Sequence, residues 1–174
     1  WAHNLPNDIP LNTRREIWTD ALQAWAKSDP AAAANYTVAL ATPPGGQNSD
    51  AGIDARNDVR HVAGIWAQTD SKAALDWAES LSAGQLQKDA LNSVLKTTAQ
   101  TDSQGAWGIA TKQYEMNHDS FNLISVIGVW SSSDPGAAAR AVASIQDDTD
   151  DALLAGVSDR LISTWMDQDP AAVT

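Results

Sequence analysis

A short motif recurs five times along the chain, and it ends in an aspartate that usually follows a tryptophan by four residues. The aspartates are Asp29, Asp70, Asp102, Asp134 and Asp169, and the tryptophans are Trp25, Trp66, Trp130 and Trp165. Successive aspartates are 41, 32, 32 and 35 residues apart. Self-similarity at a period of this length is typical of repeat arrays. The motif therefore predicts a chain built from similar units.

The spacing inside each unit is helical. Small residues such as Ala32 and Ala33 follow the aspartate by three and four positions, and Tyr36 and Leu40 follow by seven and eleven. These offsets fit a helix, whereas a strand requires a period of two. Aspartate is a preferred N-cap, and Pro30 fits the first helical position. We therefore predict two helices per unit, the first starting at the aspartate and the second ending near the tryptophan. A link of two or three residues is expected between units.

We expect an all-α fold, a right-handed α-solenoid of stacked helical hairpins with a period of about 32–41 residues, because each hairpin has an apolar face that only a neighbour can cover. The predicted array has a partial repeat at 1–28, repeats at 29–69, 70–101, 102–133 and 134–168, and a partial repeat at 169–174. Thr13 to Glu16 resembles a capping box that opens the first complete helix. Neither end has a polar cap, so we expect a fragment of a longer protein.

Composition argues against several functions. The chain has no cysteine, which excludes disulfides and thiolate metal sites. Its 11 basic residues are scattered among 22 acidic ones, with a net charge of −11, so nucleic acid and anionic membrane surfaces are disfavoured partners. No apolar run is long enough for membrane insertion. Eight tryptophans set against many alanines can form a core, because each tryptophan buries a large area.

The tryptophans and aspartates of the motif are interpreted as structural anchors, because they recur at fixed places in a helical pattern. Trp18 and Trp107 lie outside the motif. We therefore take these two as candidates for aromatic contact with a partner or a sugar.

Two further segments carry candidate sites. A weak Ca²⁺ candidate is the acidic cluster of Asp147, Asp148, Asp150 and Asp151. It lacks the glycine and glutamate of an EF-hand loop, and the alternative is a solvated turn that caps the next helix. The longest unit has an insertion whose candidate contact residues are Pro44, Gly45, Gly46 and Asn48. Insertions in repeat arrays often lie on the binding rim, although a loop can also lengthen at little cost.

The pattern W-A-x-x-D-P-x-A-A, which begins at Trp25, resembles uncharacterised bacterial proteins made of tandem Trp- and Ala-rich α-hairpins. These look similar to tetratricopeptide (TPR-like) and HEAT-like solenoids, although the tetratricopeptide consensus itself is not met. The resemblance implies a periplasmic, envelope-associated or secreted protein.

No catalytic residue and no cofactor is predicted, because the three histidines are far apart and no nucleophile turn or phosphate loop occurs. We expect a non-enzymatic scaffold that mediates protein–protein interaction or assembly. The alternative is a carbohydrate-binding or carbohydrate-active helical segment that uses exposed tryptophans.

Overall fold

The computed structural model describes residues 9–41, 50–145 and 151–168, and every regular element in these ranges is a helix. The expected all-α class is confirmed for them. In chain order the helices are α1 (Leu11–Ser28), α2 (Pro30–Ala41), α3 (Asp50–Thr69), α4 (Ser71–Ser80), α5 (Gln85–Thr98), α6 (Ser103–Asn117), α7 (Phe121–Ser133), α8 (Pro135–Ala143) and α9 (Asp151–Gln168). The even-numbered helices are the first helices of the predicted units, and the odd-numbered helices are the second helices.

The chain divides into two compact units, Trp1–Val94 and Leu95–Thr174, with the boundary inside α5. In the first unit, α1, α2 and α3 pack against one another and α4 packs against α3. In the second unit, α7 packs against α6, α8 and α9, and α8 also packs against α9. No helix among the described residues is long and apolar enough to cross a membrane.

At three of the four junctions in the described ranges, a single aspartate (Asp29, Asp70 or Asp134) separates the second helix of one hairpin from the first helix of the next; between α5 and α6 the separation is residues 99–102. At Asp70 the backbone N–H donates to the Trp66 carbonyl at 2.8 Å, and the carbonyl accepts from the Ala74 N–H at 3.1 Å. The Asp70 carboxylate accepts from the Ala73 N–H at 2.9 Å. The other junctions in the described ranges make the same cap bond, at 3.1, 2.8 and 2.8 Å, through Asp29, Asp102 and Asp134. The expected link of two or three residues before the aspartate is found between α5 and α6, at residues 99–101, and is wrong at the other three junctions, where the second helix continues up to the aspartate.

The residue before each of these aspartates completes the junction. The Thr69 hydroxyl donates to the Trp66 carbonyl at 3.0 Å, so that carbonyl accepts two hydrogen bonds. The equivalent hydroxyls donate in the same way at 3.0, 3.2 and 3.1 Å, and they belong to Ser28, Thr101 and Ser133. The last carbonyls of a helix lack intrahelical partners, and this pattern satisfies one of them at every junction.

The buried face of the first helices lies at the fourth and eighth residues after the aspartate. These residues are Ala33 and Thr37, Ala74 and Ala78, Ala106 and Ala110, and Ala138 and Val142. Position seven, which the sequence pattern also singled out, differs between units: Tyr36 is 37% exposed, whereas Trp77 is buried. Positions four and eight lie on one face of a helix, and their small side chains allow neighbouring helices to approach closely.

The second helices bury a valine eight residues before the junction aspartate, as at Val62, Val94 and Val126. The residue three before the aspartate is also buried and small, as at Ala67 and Ala99. The start of α1 differs from the expected capping box. The helix begins at Leu11 after Pro10, whose side chain has no acceptor for a cap, and the Pro10 carbonyl accepts the Arg14 N–H at 3.0 Å.

Candidate partner-binding grooves

Three of the four motif tryptophans stack on another aromatic ring. The Trp66 and Trp77 rings lie 5.7 Å apart, across the α3–α4 junction. Trp25 contacts Tyr36 across the previous junction at 5.4 Å. Trp130 contacts Trp107 at 6.3 Å. Aromatic pairs at these distances stabilise packing beyond the area they bury, so these tryptophans help hold the helices together.

Trp165 differs from the other motif tryptophans, and its role as a structural anchor stays a prediction. Its side chain is 36% exposed, and it has no ring contact with any residue in the described ranges. The capping aspartate expected after it, Asp169, lies outside those ranges.

Trp107 and Trp18 do not form the pair of exposed platforms considered from the sequence. Trp107 is only 7% exposed, because it packs against Trp130. Trp18 is half-buried against the core, its ring lies 6.2 Å from Tyr36, and its Nε1–H donates to the Asp58 carboxylate at 2.7 Å. Both occupy repeat positions after all. Trp18 lies eleven residues before its junction aspartate, like buried Val59 and Leu123, and Trp107 lies five residues after its own, like buried Ala34.

Several candidates lie outside the described residues. They are the insertion residues Pro44, Gly45, Gly46 and Asn48 and three members of the acidic cluster, Asp147, Asp148 and Asp150. Asp151 is described as the exposed first residue of α9. In the ranges that the structure covers, no three His, Cys, Asp or Glu side chains come close enough to hold a metal ion.

The second helices carry open surfaces that sequence reasoning missed. The first groove has a volume of about 490 Å³ and is lined by residues of α1, α3 and α5, with Lys27, Arg60, His61 and Gln68 among its polar groups. The second groove has a volume of about 680 Å³ and is lined from Lys96 through α7 to α9, with Lys96, Gln100, Ser133 and Arg160 among its polar groups.

The two grooves use the same repeat positions. Positions six and two before the junction aspartate supply Gln23 and Lys27 to the first groove, and Lys96 and Gln100 to the second. The central helix contributes a glycine six residues before its aspartate in both, Gly64 in α3 and Gly128 in α7. The two grooves therefore lie at equivalent positions of the sequence motif.

The grooves are basic in an acidic protein. Each is lined by two Lys or Arg side chains, and neither lining contains an aspartate or glutamate from the described part of the chain. Arg60 also borders a smaller pocket of about 250 Å³ that contains Asp89, so the first groove has a carboxylate of the chain close by. The scattered basic residues of the sequence are thus partly gathered on the second helices.

A lysine on a first helix provides a contrast. The Lys72 ammonium of α4 donates to the Asp76 carboxylate at 2.6 Å, and this hydrogen bond together with the carboxylate's charge raises the pKa of Lys72 above its usual value. In the second groove, neither Lys96 nor Arg160 forms an ion pair with a residue that the structure describes.

Arg160 has a defined position in the second groove. A Cβ atom placed on Gly128 would lie 2.5 Å from the Arg160 Nε and 3.1 Å from its Cζ. The guanidinium therefore lies directly on the backbone of α7, and any larger residue at position 128 would displace it. A glycine at this position allows the guanidinium to approach the backbone of α7 closely. Its conformational freedom is not the reason for it, because the residue lies within a helix.

Comparison with protein-family models, with curated proteins and with solved structures found no match to this chain.

Proposed function

We propose that this protein is a non-enzymatic scaffold that binds another protein through the exposed face of its second helices. The observation that carries the proposal is the pair of open grooves at equivalent repeat positions. Each groove is lined by polar side chains of several kinds. A surface that repeats at each unit suits an extended partner, because the same contacts recur along its length. The junction aspartates and the small buried rows keep the second helices in a constant register.

The arrangement of the units belongs to the same proposal. We propose that the hairpins stack into a right-handed α-solenoid, supported by four junctions with the same cap geometry. Small-angle X-ray scattering tests the elongation. A compact domain of 174 residues has a radius of gyration of about 16 Å, and a solenoid of the same length exceeds it clearly. A measured value of about 16 Å contradicts the solenoid.

Site-specific photo-crosslinking tests the scaffold and its face. A benzophenone amino acid is placed at Gln68 in the first groove, at the equivalent Gln100 in the second, and at exposed Gln104 on α6 as the control. The chain is then irradiated in the cells that produce it. Discrete protein adducts are expected from the two groove positions and not from the control. Adducts of equal yield at all three positions argue against this face, and no protein adduct at any position argues against the scaffold itself.

A further inference from the structure

We infer that the second groove binds an extended acidic segment of a partner protein, and that the Arg160 guanidinium holds one of its carboxylates. The inference rests on the proposed scaffold function and adds the chemistry of the partner. The first observation is the charge of the groove. The chain has a net charge of −11, yet this open groove is lined by Lys96 and Arg160 and by no acidic side chain of the described residues.

The position of Arg160 favours a carboxylate. Its guanidinium lies against Gly128, which also lines the groove. It has no ion-pair partner among the residues described. A guanidinium presents a planar fork of N–H donors that fits the two oxygens of a carboxylate. The absence of a Cβ at Gly128 leaves the space that the guanidinium occupies. Lys96, from α5, supplies a second positive charge to the same groove.

The rest of the lining favours a peptide. Gln100 and Ser133 offer amide and hydroxyl groups that can pair with peptide N–H and C=O groups, and Ile124 and Val129 provide apolar contacts for side chains. A nucleic acid is disfavoured, because phosphate binding depends on many clustered cations and this groove has two in a strongly acidic chain. The volume of about 680 Å³ leaves room for more than a single small anion.

The first groove carries a weaker case, although it contains Lys27 and Arg60. The Arg60 guanidinium already donates to the Asn57 side chain, and Asp89 lines the neighbouring pocket. Arg60 therefore has polar groups of the chain itself close to it. The inference is restricted to the second groove for this reason.

The test uses the full chain and a display library of random eight-residue peptides. The selected binders are expected to be enriched in Asp and Glu relative to the library. The tightest binder is then labelled with fluorescein, and its Kd is measured by anisotropy for the parent chain and for each variant. The R160E variant is expected to raise the Kd about tenfold or more, because a charge-assisted hydrogen bond is lost. K96E is expected to raise it by a smaller factor.

Two matched variants separate position from charge. K112E changes the net charge by the same amount at an exposed site on α6, outside the groove, and is expected to leave the Kd within about twofold. Gly128→Ala keeps every charge but displaces the guanidinium, and is expected to raise the Kd severalfold. Circular dichroism confirms that each variant keeps the helicity of the parent.

The outcomes are distinguishable. Acidic binders that lose affinity in R160E and Gly128→Ala, but not in K112E, support the inference. Binders without acidic enrichment, or with a Kd that R160E leaves unchanged, overturn it while leaving the scaffold to the crosslinking result. An unchanged Kd in Gly128→Ala overturns the role of the positioned guanidinium. The inference is also overturned if the library yields no binding peptide. It is overturned as well if the chain associates with itself and the R160E variant does not.

Discussion

Replacing Asp70 with alanine removes one hydrogen bond from the α3–α4 junction and leaves two others in place. The bonds that survive are those of the backbone, from the Asp70 N–H to the Trp66 carbonyl and from the Ala74 N–H to the Asp70 carbonyl. The bond that is lost is the one that the carboxylate accepts from the Ala73 N–H at 2.9 Å. Loss of an aspartate N-cap destabilises a protein by about 1 kcal/mol, within a range of roughly 0.5–2 kcal/mol.

Urea unfolding followed by circular dichroism measures the loss. For an m-value of about 2 kcal/mol/M, the D70A midpoint falls by about 0.5 M. Hydrogen exchange gives a local readout, because the Ala73 amide loses its acceptor in D70A. Its exchange rate is expected to rise about fivefold for each kcal/mol of stability that is lost.

The D70N variant is the control for charge, because it keeps an oxygen acceptor. The Asp70 side chain lies between the carboxyl end of α3 and the amino end of α4, whose dipoles act on its charge in opposite directions. D70N is therefore expected to stay within about 0.5 kcal/mol of the parent. A loss in D70N as large as in D70A refutes the hydrogen-bond argument, and so does an unchanged Ala73 exchange rate in D70A.

Three further results are expected. Gly105→Ala stabilises the chain by about 0.5–1 kcal/mol in urea unfolding, since alanine is the better helix former and the other three junctions make the same cap bond to an alanine at this position; a loss of stability instead means that Asp102 must give up its cap bond to make room for the new Cβ. His118 ends α6 in a left-handed conformation at φ 54°, so His118→Gly exceeds His118→Ala in stability by about 1 kcal/mol, and equal stabilities contradict the strain. In iodide quenching, Trp165→Phe removes more of the quenchable emission than Trp107→Phe, and the reverse order contradicts the burial of Trp107.

The sequence predicted the local features of the fold because their chemistry is local. An aspartate caps the helix that begins one residue later, whatever the rest of the chain does, so Asp29, Asp70, Asp102 and Asp134 could be assigned from the motif. The buried face was placed approximately, because a helical period of 3.6 does not decide between positions seven and eight. Alignment of the units at eight residues after the aspartate, where Thr37, Ala78 and Ala110 lie, would have decided it.

The candidate site could not be predicted in the same way. Lys96 and Arg160 are distant in sequence. They line the same groove only because the fold brings residues of α5, α7 and α9 together there. No sequence period joins two cations that come from different units and from different repeat positions. The role of Gly128 could not be predicted either, because nothing in the sequence near this glycine explains it. The explanation is the Arg160 guanidinium, which occupies the space that a Cβ at position 128 would need. Exposed aromatics were the more visible candidates, but the packing of the helices buried Trp107.

The repeat separates the positions that maintain the fold from those that are free to differ. Position six before the junction aspartate holds Gln23, Gly64, Lys96 and Gly128 in successive units. All four line a groove, and none of them takes part in a junction hydrogen bond through its side chain. In contrast, the aspartate and the hydroxyl residue before it are chemically equivalent at every junction described. Because a change at position six leaves the caps and the buried rows intact, the grooves can differ in charge while the helices keep their register. In the proposed scaffold, such a chain presents different side chains from unit to unit on the same backbone, which suits an extended partner with varied side chains.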